Sequence, residues 1–104
     1  MSAPLTEKEF SQHMNTKFRL NVERAEPIEL ELVEVKSYKN KDKPGEHGGM
    51  ERFSVFFLGP LDAFLQQATY SLSHEKMGSF DIFLVPLCRQ EKGYSYEAVF
   101  NYLI

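Results

Sequence analysis

The sequence predicts a mainly β domain: a short N-terminal helix followed by about six antiparallel strands that form a small barrel or a compact sandwich. Two observations carry this reading. From Phe18 onward, apolar residues recur mostly at every second position, the period of a strand, and short turn-forming segments at 24–27, 59–60, 75–78 and 89–93 divide the chain. In addition, 104 residues with 42% hydrophobic and 13% aromatic content are enough for one core that needs no disulfide or metal. Residues 5–104 are read as a single domain, with 1–4 as a disordered start.

The elements follow in order. Thr6 suits a helix N-cap, and Glu9 stands three residues on, the spacing of a capping box. Leu5 and Phe10 fit a hydrophobic staple, and the pattern predicts a helix over 7–14 whose Phe10 and Met14 share one inward stripe. Phe18, Leu20 and Val22 then alternate with polar residues, as do Ile28, Leu30 and Leu32 after a turn. Pairing Val22 with Ile28 would set Arg19 opposite Glu31. Leu32 and Val33 break the alternation, which predicts a β-bulge there, with Val33 and Val35 continuing on the other face.

Residues 39–50, rich in Lys and Gly, carry no periodicity and are read as a long flexible loop. A strand over 52–58 is apolar on both faces, which makes it central or covered by another element. Leu61, Phe64 and Leu65 have the spacing of one helical turn. Strands over 69–74 and 79–87 flank a tight hairpin in which Gly78 supplies the positive φ. Tyr94, Tyr96, Ala98 and Phe100 give the last strand its inward stripe.

Several segments together form a recognisable string: Leu5-Thr6-Glu7-Lys8-Glu9-Phe10, Phe18-Arg19-Leu20, Phe53 to Pro60, Tyr70 to His74, Phe83-Leu84-Val85-Pro86 and Tyr96 to Asn101. In this order, over nearly the whole chain, they resemble a family of short uncharacterised bacterial proteins carrying a domain of unknown function. Genes of that family tend to lie beside those of phage-tail-collar, microcystin-dependent-protein-like proteins. The resemblance therefore implies an accessory role in a tail-like assembly, and it supplies no catalytic residues. The lysine-rich loop departs from the family pattern, which has mainly Pro and Gly there.

Composition narrows the function classes. Twelve Lys and Arg against fifteen Asp and Glu give a net charge of −3, which argues against a domain that grips nucleic acid by charge. One cysteine, Cys88, excludes an internal disulfide. No apolar run approaches the ~20 residues of a membrane span, and Met1–Pro4 lacks the features of a signal peptide. The expectation is a cytoplasmic protein with no membrane contact.

The histidines His13, His47 and His74 share no metal-ligand spacing, so no metal site and no cofactor are expected. His74, in phase with Tyr70 and Leu72 and beside the hairpin, is read as a structural residue whose ring bonds turn backbone. An enzyme built on His74 is the weakest of three functional readings, because no nucleophile or orienting acid accompanies it. Cys88 beside Arg89 is read as a packing residue.

Lys36, Lys39, Lys41 and Lys43 gather around Tyr38 and form one candidate interaction patch; the apolar end Tyr102, Leu103 and Ile104 forms another, suited to a homodimer or a docked partner. Thr6, Glu9, His74 and Gly78 are assigned structural roles. The leading expectation is a non-enzymatic structural or interaction module with a protein partner. The second is a small-ligand-binding β-barrel.

Overall fold

The computed structural model describes residues 6–21, 28–38 and 50–103. One helix and six strands appear in the order α1 (Glu7–Ser11), β1 (Lys17–Leu20), β2 (Ile28–Ser37), β3 (Met50–Gly59), β4 (Ala68–His74), β5 (Gly78–Arg89) and β6 (Tyr94–Leu103). All ladders are antiparallel, and the strands close in the order β1-β2-β3-β6-β5-β4 because β4 pairs back onto β1. The architecture is a barrel and not a sandwich. Closure gives every strand a paired neighbour on both sides.

The alternation of each strand becomes the inside and outside of the barrel. Phe53, Val55 and Phe57 of β3 pair with Phe100, Ala98 and Tyr96 of β6, and most of these side chains are buried. Phe18, Leu20, Leu30, Leu32, Leu72, Ile82 and Leu84 complete the interior. The interior is filled by the protein's own side chains, as expected for a barrel of few strands.

Helix α1 closes one end. Thr6 caps it by accepting a hydrogen bond from the Glu9 amide at 3.1 Å. The helix is one turn shorter than the pattern over 7–14 implies: Asn15 adopts φ 65°, a left-handed conformation that Asn tolerates, and turns the chain into β1. Phe10 is driven into the barrel mouth, its ring centroid 5.4–6.2 Å from those of Phe18, Phe53, Phe80 and Phe100. Leu5, the other half of the staple, lies outside the described residues.

The bulge appears where the alternation breaks, with the β2–β3 register shifting between Leu32 and Glu34. Val33 is the extra residue and is exposed, whereas Val35 returns to the inner face opposite Val55, contrary to the expected change of face. The β1–β2 register differs by two from the expected one: Lys17 faces Glu31 and Arg19 faces Glu29. Lys17 Nζ lies 3.7 Å from a Glu31 oxygen. Val22 is outside the described residues, and of the expected loop over 39–50 only Met50 is described, as the first residue of β3.

Residues 60–67 close the opposite end without the expected helical turn. Of Leu61, Phe64 and Leu65 only Leu65 is buried, and its amide donates to the Tyr96 hydroxyl at 2.9 Å instead of to a helical carbonyl. The Tyr70 hydroxyl donates to the Gln66 carbonyl at 2.7 Å, and the Phe64 ring meets Tyr94 edge-on at 5.0 Å. Side chains of the barrel rim thus decide the path of this connection. A second bulge, between Pro86 and Cys88, bends β5 near its end.

Candidate functional site

Two features of the barrel surface have the character of a site: a polar groove around His74 at the α1 end, and an apolar stretch on the outer wall of β5 and β6.

The groove begins with the β4–β5 hairpin. His74 pairs with Gly78 across the three-residue turn Glu75-Lys76-Met77, and Gly78 takes φ +81° as expected. The His74 ring folds over that turn. Its Nδ1 accepts from the amides of Lys76 at 3.0 Å and Met77 at 3.1 Å. An atom that accepts two N–H bonds carries no proton, so the proton of the neutral ring sits on Nε2. Nε2 then donates to Thr16 Oγ1 at 2.9 Å, and that hydroxyl donates to the His13 carbonyl at 2.6 Å. The ring also packs 4.4 Å from Phe18 and 4.7 Å from His13.

His74 thus bonds turn backbone through Nδ1 and has a link to Thr16 that spans 58 residues of sequence and has no local signal. Burial above all, then the nearby His13, hold its pKa below the ordinary imidazole value. The groove beside it, about 600 Å³, is lined by Lys17, Arg19 and Lys76 and by Glu29 and Glu75. A second groove, about 470 Å³, lies at the other end beside Gly59 and Lys92.

The outer wall is less polar. One row across it reads Glu34, Phe56, Glu97 and Val85 on β2, β3, β6 and β5; the next reads Lys36, Ser54 and Val99. Val99 is 56% exposed, Phe83 49% and Leu87 48%. Val85, between Phe83 and Leu87 along β5, and Phe56, beyond Glu97 on β3, are half-buried. Glu97, the acidic residue within this stretch, is occupied by Ser54, whose hydroxyl donates to it at 2.7 Å. The result is a wall on which Phe83, Leu87 and Val99 are exposed, with Glu97 bonded to Ser54 beside them. The sequence over 79–87, which becomes β5, is apolar on both faces. Among the described residues nothing covers it.

The remaining sequence candidates fall apart spatially or beyond the described residues. Lys36 and Tyr38 are both exposed at the end of β2, the lysine ammonium 5.7 Å from the tyrosine ring centre. Lys39, Lys41, Lys43 and Ile104 are outside the described residues, as are the side chains of Tyr102 and Leu103. Cys88 is exposed instead of packed, 3.4 Å from the Ser95 hydroxyl. No cluster of His, Cys, Asp and Glu suited to a metal occurs among the described residues. No helix among them is long and apolar enough to cross a membrane.

Fold and surface together define a small closed antiparallel barrel plugged by one N-terminal helix. Residues 5–100 match the family model of the domain of unknown function DUF6916, and the chain belongs to that family. No curated protein and no solved structure matches the sequence significantly.

Proposed function

We propose that this protein is a non-enzymatic interaction module that docks a protein partner through the outer wall of β5 and β6. The observation that carries this reading is the exposure of Phe83, Leu87 and Val99 on one side of a closed barrel. Exposed large apolar side chains gathered on one wall are the kind of surface that interface centres use. Closure gives every strand a neighbour on both sides, which favours a partner that meets a wall formed by side chains over strand addition.

The partner suggested by the family resemblance is a structural protein of a phage-tail-like assembly, with the barrel as an accessory part inside the cell. The filled interior favours this reading over a ligand-binding barrel. His74, with both ring nitrogens committed within the fold, favours it over catalysis at that residue.

The test is a pair of charge insertions, Phe83→Asp with Val99→Asp, on positions that contribute little to the core. The variant is expected to keep its circular dichroism spectrum and melting temperature while losing the partner or self-association measured for the wild type by light scattering. Equal association of the folded variant and the wild type would overturn the proposal.

A further inference from the structure

We propose that His74 is a pH-released latch: its neutral ring ties the β4–β5 hairpin to the α1 cap, and acidification opens that end of the barrel. The inference rests on which atoms the ring holds. Nδ1 is the shared acceptor of two turn amides, and Nε2 reaches Thr16, which in turn bonds the carbonyl of His13 in the turn that follows α1. An imidazolium carries hydrogen on both nitrogens. A proton on Nδ1 would point at the two N–H groups of Lys76 and Met77, so both turn bonds are lost together and the hairpin tip must move.

The charged and titratable groups around the ring come from every neighbouring element. His13 faces it from the end of α1; Lys17 and Arg19 line the groove from β1, Glu29 from β2, and Glu75 and Lys76 from the turn. His13 and Lys76 oppose protonation of His74, Glu75 favours it, and burial opposes it most. The His74 ring lies 4.7 Å from that of His13, so a charge formed on His74 is placed directly against the segment that follows α1. The consequence reaches the core. Phe10 covers the barrel mouth by packing on Phe18, Phe53, Phe80 and Phe100, and Phe18 is also the ring under His74. Release of the latch therefore loosens the cap over an aromatic cluster while the β3–β6 ladder at the centre of the sheet stays paired.

Amide hydrogen exchange read residue by residue by NMR, from about pH 8 to about pH 5, tests this in the full chain. After correction for intrinsic exchange, the protection of Lys76, Met77, Phe10 and Gln12 is expected to fall below about pH 6.5, by up to about tenfold per pH unit until the folded-state pKa is passed, with Val55 and Ala98 unchanged. In His74→Asn, the amide oxygen can accept the same turn N–H groups without titrating, and the pH dependence is expected to vanish. Constant protection in the wild type, or the same loss in the variant, would overturn the latch. Should the variant not fold, the imidazole nitrogen shifts of the wild type decide. Conversion from the Nε2–H form to imidazolium in step with the loss of protection supports the latch. Loss without titration, or titration without loss, overturns it.

Discussion

At the scale of single residues, the fold depends on a few polar groups whose partners are fixed. Thr6 satisfies the Glu9 amide at the start of α1, and Thr6→Ala is expected to lower stability by about 1 kcal/mol in a urea titration. Gly78 has open space around its α-carbon but φ +81°, so Gly78→Ala is expected to cost about 1 kcal/mol through backbone conformation alone. His74 sets a pH dependence. Its folded-state pKa lies below the unfolded value, so the unfolded chain takes up the proton first as pH falls. Its contribution is complete above about pH 6.5 and declines below that until the folded-state pKa is passed. Urea midpoints measured across this range should fall with pH in the wild type and stay level in His74→Asn. The capping spacing of Thr6 and Glu9, and the glycine after the hairpin turn, were legible because their partners lie within three or four residues. The bond from His74 to Thr16 was not legible, because only barrel closure brings those residues together.

At the scale of elements, the two barrel ends are closed by different means. The α1 end is sealed by one aromatic side chain, and Phe10→Ala should cost about 3–5 kcal/mol, because the cavity it leaves is ringed by aromatic groups that cannot collapse inward. The other end is held by hydrogen bonds and close backbone approach. A Cβ on Gly93 would strike the Gly59 carbonyl oxygen, which belongs to backbone and cannot rotate away. Gly93→Ala is therefore expected to lower the melting temperature more than Gly78→Ala does. Strand positions and the bulge at Leu32–Glu34 could be read from alternation, since one slipped residue reverses every face. The β1–β2 register could not. A slip of two leaves the same side chains inside, and the hydrophobic pattern does not distinguish the alternatives. The apparent helical turn at 61–65 misled for a related reason: spacing records which residues are apolar, not which of them reach the core.

At the scale of the whole molecule, the apolar pattern specified a β fold but left barrel and sandwich equal, because the distinction rests on the single long-range ladder between β1 and β4. Closure gives the surface its meaning. An apolar outer face on a sandwich strand would be half of a core; on a closed barrel it faces outward, and Phe83 and Val99 are available to a partner. Removing such residues should leave stability within about 0.5 kcal/mol, as for substitutions outside the core, and should act on association alone. The most direct measurement is a parallel affinity capture from the native host with wild-type protein and with the folded Phe83→Asp, Val99→Asp variant as bait. Partners are to be identified by mass spectrometry and rebound in purified form. The proposed function predicts that a structural assembly protein is retained by the wild type and lost by the variant. Recovery of the same partner on both baits would contradict it.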